Sequence, residues 1–277
     1  MKSKAIIERF DSLASYASVI GKRTPNTVFS GRSLASKTGS ESFTLTASYD
    51  DSLALMMTGY KEGLKNLTAS QGTRVAHASR VAKNLPATDV VGYIPHIPNA
   101  IIGIPQSMIS TKPTEQKAKV ISILYDMGSS CGTDAEQFVA AGRKLLEVIM
   151  TLELQGYRVG LKILTSFCET SQKAFCIVKV KDHRQQSNPL KIAYPLLHPS
   201  FFRRQGFRWL ETCPAITDRG FSSGYGHVLK YEFQTVGERR EYLRQQGVLE
   251  LGCFYTEFEE ADENSVEELI KKMGIQK

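Results

Sequence analysis

The stretch KVISILYDMGSSCGTDAEQFVAAGRKLLEVIMTLELQGYRVGLKIL, residues 119–164, decides the fold. Residues 120–125 are apolar and rich in β-branched side chains, as expected of a strand that is buried on both faces. A turn of small and polar residues follows, and residues 157–164 return to a strand pattern. Between them, apolar residues recur at the spacing of one helix face: Phe138, Ala141, Leu145, Ile149 and Leu152. The sequence therefore predicts a strand–turn–helix–strand unit of an α/β sheet.

The polar turn in this unit is the first place to look for a functional site. Open α/β sheets bind ligands where the carboxyl end of a parallel strand meets the amino end of a helix. The tetrapeptide at 133–136 fits a capping box, with Thr133 as the N-cap and Glu136 three residues later. Cys131 lies near the same helix end, but no recognisable motif ties a histidine to it. We therefore expect Cys131 to be a small buried residue rather than a nucleophile.

Composition limits the class of protein. The chain has 277 residues, 42% of them hydrophobic and 23% charged, which suits one large globular domain or two small ones. No apolar run approaches ~20 residues, and the amino end lacks a secretory pattern, so we expect a cytoplasmic protein without a membrane span. The five cysteines never adopt C-x-x-C spacing, which disfavours disulfide and metal frameworks.

The net charge of +7 is unevenly distributed along the chain. Residues 1–114 carry +6 and residues 115–235 carry +5, whereas residues 236–277 carry −4. A basic body favours an anionic partner such as nucleic acid. An ordinary soluble surface with a modest basic excess fits the same numbers.

Two segments carry the residues that we expect to contact nucleic acid. Residues 73–85 favour a helix with Arg74, Arg80 and Lys83 on one polar face, which either tracks a phosphate backbone or faces solvent. Residues 201–209, FFRRQGFRW, interleave aromatic and basic side chains, as segments that bind unpaired bases do. The candidates in that segment are Phe202, Arg203, Arg204, Arg208 and Trp209. The same pattern also fits a helix end whose aromatic side chains lie in the core.

Local patterns predict further elements along the chain. Residues 4–20 suit an amphipathic helix, and residues 90–108, which prolines and glycines interrupt, suit an extended segment that crosses the surface of the core domain. Residues 174–181 suit a strand that forms an antiparallel hairpin with residues 157–164. Residues 228–235 alternate like a strand.

From residue 119 onward, the order of elements resembles the von Willebrand factor A-type fold. In that family an Asp-x-Ser-x-Ser turn, a separate Thr and a Thr-Asp-Gly turn bind a divalent cation, which a carboxylate of the partner completes. Asp126 and Ser130 match the first turn, with Gly128 at the position of the first Ser. Asp218 lies in a late Thr-Asp-Arg-Gly turn, and the separate Thr has no clear match. The resemblance implies a degenerate cation site with weak Mg²⁺ affinity at most, and no other cofactor.

The resemblance covers residues 119–275 and implies a Rossmann-like α/β sheet flanked by helices. The chain then divides into a core domain, residues 116–277, and a basic, mostly helical extension, residues 1–115, that packs on it. The amino-terminal pattern is also similar to an uncharacterised family of phage-encoded proteins.

Two classes of function stay open, and no catalytic constellation supports an enzyme. The first is a non-enzymatic accessory protein of phage type that binds nucleic acid, preferably single strands, in replication or transcription. The second is a protein-docking module that uses the Asp126 turn, with or without a divalent cation. The expected partner is accordingly nucleic acid or a protein of the replication or transcription machinery.

Overall fold

The computed structural model describes residues 4–29, 31–65, 84–113, 119–170, 172–216, 221 and 224–275. The amino-terminal elements are β1 (Lys4–Phe10), α1 (Leu13–Lys22), a 3₁₀ turn (Thr27–Phe29), α2 (Glu41–Thr44), α3 (Tyr49–Thr58) and a second 3₁₀ turn (Glu62–Leu64). A small unit follows, with β2 (Asn84–Asp89), β3 (Ile94–Pro95), α4 (Ile97–Ile101) and β4 (Met108–Pro113).

The core unit contains the remaining elements. Its first half consists of β5 (Val120–Asp126), α5 (Ala135–Leu154), β6 (Arg158–Cys168), β7 (Gln172–Lys181) and α6 (Pro189–Leu197). Its second half consists of a π-helix (Phe201–Gly206), α7 (Phe207–Thr212), a 3₁₀ turn (Leu229–Tyr231), α8 (Val236–Gln245), β8 (Cys253–Glu257), α9 (Phe258–Glu263) and α10 (Val266–Lys272).

Among the described residues, five strands form the main sheet in the order β1-β7-β6-β5-β8. β5 is parallel to both β6 and β8, β1 is parallel to β7, and β6 and β7 form an antiparallel hairpin. The predicted α/β class, the strand at β5 and the hairpin are confirmed. From β5 the chain continues to β6, which lies on one side of β5 in the sheet, while β8 lies on the other side of β5. The carboxyl end of β5 is therefore a topological switch point.

The amino end differs from the prediction of one helix over residues 4–20. Residues 4–10 form β1, and the helix begins only after Ser12, whose hydroxyl accepts a hydrogen bond from the Ser15 N–H at 3.0 Å. β1 pairs with β7, with Lys4 opposite Gln172. The main sheet therefore includes a strand from each side of the predicted division at residues 115 and 116.

Helix α5 is confirmed, and its predicted apolar face is fully buried. Its N-cap is Asp134 rather than Thr133, and the Gln137 side chain accepts a hydrogen bond from the Asp134 N–H at 2.9 Å. A Cβ at Gly142 would lie 2.1 Å from the carbonyl oxygen of Leu196. Only glycine therefore allows α5 to pack this closely on the end of α6.

The sheet is buried on both faces. Ile123 and Tyr125 belong to a larger apolar cluster that includes α5 and residues 201–213, whereas Leu124 belongs to a smaller cluster beneath α8. Adjacent residues of a strand point to opposite faces, so a strand covered on both faces is apolar throughout. This burial explains why β5 is apolar at most of its positions.

The small unit forms its own antiparallel sheet in the order β2-β4-β3. β3 and α4 replace the extended segment predicted for residues 90–108. The strand predicted at residues 228–235 is also wrong, because that stretch holds the 3₁₀ turn at Leu229–Tyr231. No helix within the described residues is long and apolar enough to cross a membrane.

Candidate functional site

Two carboxylates lie side by side at the carboxyl edge of the main sheet. Asp126 ends β5 and lies opposite Glu257, which ends β8. Their exposed fractions are only 4% and 6%. The parallel register of these two strands thus brings both acids to the topological switch point, the usual ligand position in open α/β sheets.

Protein groups surround the Asp126 carboxyl group. The Gly128 N–H donates to Oδ1 at 2.9 Å, and the Ser166 hydroxyl donates to Oδ2 at 3.0 Å. A Cβ at Gly128 would lie only 2.9 Å from the Ser166 oxygen. Glycine at 128 therefore leaves room for the Ser166 hydroxyl from β6.

The ionisation of Asp126 depends on this burial. Burial raises the pKa of Asp126 to about 7, the Gly128 N–H opposes that rise, and the nearby charge of Glu257 adds to it. Tyr255 Oη lies 3.4 Å from Asp126 Oδ2 and donates to Glu257 Oε1 at 2.9 Å. Because burial raises the pKa of Tyr255 well above its ordinary value, the phenol keeps its proton. A protonated Asp126 can in turn donate to the Tyr255 oxygen.

Helix α8 supplies the positive charge at this edge. Arg239 Nε donates to Glu257 Oε1, and Arg239 Nη1 donates to the carbonyl oxygen of Phe233 at 2.6 Å. Arg240 Nη2 donates to the carbonyl oxygen of Tyr255 at 2.9 Å. Asp126, Tyr255, Glu257 and Arg239 thus form one buried polar network that fixes the shape of the turn after β5.

The predicted cation ligands do not converge within the described residues. The Ser130 hydroxyl accepts from the Gly132 N–H at 3.2 Å, and Asp218 lies outside the described residues. In the described part of the chain, no three His, Cys, Asp or Glu side chains are grouped so as to hold a metal ion. Cys131 is exposed, not buried as predicted. Glu257 was missed because its pairing with Asp126 is non-local, although both acids end strand-like runs.

Residues 201–209, which we call the arginine run, lie in the interior. Phe202, Arg203, Arg204 and Trp209 are exposed by 4%, 1%, 0% and 0%, respectively. This corrects the prediction that they contact nucleic acid, because a buried ring cannot stack on a base and a buried guanidinium cannot reach a phosphate. Arg208 is half-buried and donates to the carbonyl oxygen of Arg23 at 3.2 Å. The other three candidates, Arg74, Arg80 and Lys83, lie outside the described residues.

Arg203 connects the α2 region with the turn before α5. Its guanidinium donates to the carbonyl oxygens of Phe43 at 2.7 Å and Thr133 at 2.5 Å. It also stacks on the Phe43 ring at 3.7 Å and on the Phe138 ring at 4.7 Å. Burial lowers the pKa of Arg203 to about 10, so the side chain remains charged at neutral pH.

Arg204 and Trp209 hold the rest of the amino-terminal segment. Arg204 donates to the carbonyl oxygens of Ala35 and Thr46 at 2.9 and 2.7 Å, and also to Lys37 O, Ser40 Oγ and Thr46 Oγ1. Trp209 Nε1 donates to Glu8 Oε2 at 2.7 Å, and Glu8 is paired with Arg23. The arginine run therefore holds residues 8–46 against the core.

Exposed apolar side chains concentrate on the small sheet. Of the thirteen large apolar side chains that are exposed in the described chain, eight lie between residues 90 and 104, which we call the apolar tip. They are Val90, Val91, Tyr93, Ile94, Ile97, Ile101, Ile102 and Ile104. Sequence reasoning missed this surface because an apolar run is usually buried.

The apolar tip has a defined backbone. The Tyr93 N–H donates to the Ile109 carbonyl at 3.0 Å, and the His96 N–H donates to the Ser107 carbonyl at 2.7 Å. His96 Nδ1 accepts from the Asn99 N–H at 3.3 Å and so caps α4. A Cβ at Gly92 would lie 2.2 Å from the Ile109 carbonyl oxygen, so only glycine lets the backbone at residue 92 pass this close to β4.

Comparison with known proteins gives one match. A family model described as Domain of unknown function (DUF7192) matches residues 2–277, a range that includes the main sheet, its carboxyl edge and the apolar tip. No curated protein matches the chain, and no solved structure matches it.

Proposed function

We propose for this chain, which belongs to the DUF7192 family, a role as a non-enzymatic protein-docking module whose docking surface is the apolar tip. The observation that carries the proposal is the exposure of eight large apolar side chains between residues 90 and 104. Val91 and Ile101 are each exposed by 78%, and Ile102 by 69%. Full burial of each such side chain is favourable by about 1.5–3 kcal/mol, and this free energy is not gained while the side chain stays in water.

The size of this surface supports an interaction site. The eight residues together expose on the order of 900 Å², so a patch formed by half of them already reaches the ~300–600 Å² of the largest apolar patch on a typical monomer. Single exposed apolar residues are common and need no explanation. Eight of them between residues 90 and 104 exceed that background and indicate a partner.

The fixed backbone of the tip also favours docking. Its strand pairing and the cap on α4 hold the side chains in one arrangement, so binding need not order a flexible loop. The rigid display of apolar anchors is typical of protein interfaces.

Nucleic acid has less support as the partner. The arginine run is buried, and residues 90–107 contain no Lys or Arg that could neutralise phosphate. Nucleic-acid binding through Arg74, Arg80 and Lys83 is the alternative that the nuclease treatment in the following experiment tests.

A capture experiment tests the proposal. Tagged full-length chain is recovered from cells with and without nuclease treatment, as wild type and as the double variant Ile101→Asp with Ile102→Asp. Leu251→Asp is the matched control, because Leu251 is 97% exposed and lies outside the tip. We expect wild type and control to retain the same protein after nuclease treatment, and the tip variant to lose it. Capture that ignores the tip substitutions, or that nuclease abolishes, would contradict the proposal.

The Asp126 turn gives a second candidate for docking, now with Glu257 beside it at the switch point. A cation there would have to replace the hydrogen bonds that Asp126 accepts from Gly128 and Ser166. We therefore expect Mg²⁺ or Mn²⁺ affinity to be weak, and calorimetric titration measures it. Tight binding that Asp126→Ala abolishes would show a cation site at this turn and would favour docking there.

A further inference from the structure

We infer that the partner seated on the apolar tip is a second copy of this chain, which forms a symmetric dimer through residues 90–104. The inference rests on the proposed docking function of the tip. It adds the identity of the partner and the stoichiometry of the complex.

The absence of charge from the tip favours self-association. Residues 90–107 contain no Asp, Glu, Lys or Arg, although charged residues make up 23% of the chain. In a two-fold contact the same patch of both copies meets, so any charged side chain near the axis faces the identical charge on the other copy. A patch without charges avoids that repulsion completely. Interfaces between unlike proteins are usually about as polar as ordinary surface, whereas homodimer interfaces are more apolar.

The area of the tip also fits a dimer. If two thirds or more of the roughly 900 Å² exposed on each copy is covered, the interface buries about 1,200–1,800 Å² in total, within the 1,200–2,000 Å² range of stable specific interfaces. A lipid surface fits less well, because peripheral membrane helices carry Lys or Arg beside their apolar face. The five-residue helix α4 has neither.

The tip can associate without reorganising. Pro95, Pro98 and Pro105 restrict the backbone around α4, and Asn99 Nδ2 donates to the carbonyl oxygen of Gln106 at 2.9 Å. The conformational entropy lost on association is therefore small, and more of the burial free energy stabilises the dimer.

Sedimentation velocity on the full chain tests the inference. Across about 1 to about 100 μM protein, we expect one discrete species of twice 30.8 kDa to replace the monomer. Ile101→Asp should raise the dissociation constant at least ~100-fold, because it places a carboxylate in a desolvated contact with its own copy. Leu251→Asp, at a side chain that is even more exposed but lies outside the tip, should leave association unchanged. Circular dichroism checks that each variant is folded.

Two results would overturn the second copy as partner. One is a wild-type chain that stays monomeric at about 100 μM, and the other is a continuous series of larger species, which indicates unspecific adhesion. The docking function has a separate outcome. If wild type is monomeric but nuclease-resistant capture still needs Ile101, the tip binds another protein. If capture ignores Ile101 as well, both proposals fail.

Discussion

The arginine run is rich in charged residues but buried, whereas the apolar tip is uncharged but exposed. The run at residues 201–209 contains three arginines, and Arg203 and Arg204 are exposed by 1% and 0%. The tip at residues 90–104 contains no arginine, and Ile101 is exposed by 78%. The charged segment forms part of the interior, whereas the uncharged segment forms part of the surface.

Backbone hydrogen bonding explains the difference. Residues 35–46 hold little regular structure, so several of their carbonyl groups need donors from elsewhere, and Arg203 and Arg204 supply them. In the tip, strand pairing satisfies much of the backbone, and the apolar side chains remain available to another molecule. Whether a side chain is buried therefore depends on the interaction partners available to it in the fold, and composition alone does not determine it.

The largest effect is expected at Arg204. Its guanidinium donates five hydrogen bonds, three of them buried, so Arg204→Ala should lower the free energy of unfolding by about 3–5 kcal/mol. Urea denaturation measures this change. Arg184→Ala, at an exposed arginine of the same core unit, is the control and should change stability by less than ~0.5 kcal/mol. Equal small effects at both positions would mean that the arginine run is not buried.

The carboxyl edge gives the second effect, which depends on pH. Burial raises the pKa of Asp126 to about 7, so the folded chain holds a proton that the unfolded chain releases. The contribution of Asp126 to stability should therefore fall as pH rises from about 4 to about 7 and then stay constant. Burial lowers the pKa of His198 to about 4, so His198 contributes in the opposite direction over much of this range, and the difference between wild type and Asp126→Asn isolates Asp126. Asp126→Asn removes this cost and should raise stability at pH 8 by on the order of 2–4 kcal/mol, with little change near pH 4.

Thermal or urea unfolding at several pH values tests this prediction. Ser130→Ala is the matched control, since its hydroxyl accepts from Gly132 and does not contact Asp126. It should keep the wild-type slope of stability against pH. The slope in Asp126→Asn should be more positive than that of wild type between about pH 4 and about pH 7, and a slope equal to that of wild type would assign the titration to another group.

A smaller effect is expected at Trp209, the single tryptophan of the chain. Trp209→Phe keeps an aromatic ring in the core but removes the hydrogen bond to Glu8, so it should cost about 1.5–3 kcal/mol of stability. If the ring stacked on bases instead, the substitution would leave stability unchanged and weaken binding to single strands. Measuring unfolding and single-strand binding on the same two proteins separates these cases.

The smallest effect on stability is expected at the tip. Ile101→Asp should change the free energy of unfolding of the dilute monomer by less than ~0.5 kcal/mol, because the side chain is 78% exposed. Melting curves at low protein concentration measure it. A loss of several kcal/mol would show that Ile101 packs within its own chain, which would remove the basis for docking.

The central unit could be predicted from the sequence, because its signals are local. The apolar run of β5 and the helical spacing of Leu145 and Ile149 each define an element without reference to distant residues. β1 could not be predicted in this way. Its apolar residues Ile6 and Phe10 fit a helix as well as a strand, and only pairing with β7 selects the strand.

The candidate sites depended even more on distant contacts. Asp126 was identified from its turn, but Glu257 lies beside it only because β8 pairs with β5. The alternation of aromatic and basic residues in the arginine run fits a surface or a core equally well. The acceptors of Arg204 lie between residues 35 and 46, and no local pattern connects the two segments. The apolar tip was missed for the converse reason, since no sequence signal states that these apolar residues are left exposed by the described part of the chain.

Carbene footprinting of the wild-type chain tests the contrast between these two regions most directly, because it labels side chains in proportion to their exposure. In dilute protein we predict strong labelling of Val91 and Ile101 and none of Phe202 or Trp209. At high concentration the tip should become protected, while the arginine run stays unlabelled. Labelling of Phe202 and Trp209, or a tip that stays unlabelled at every concentration, would contradict the account.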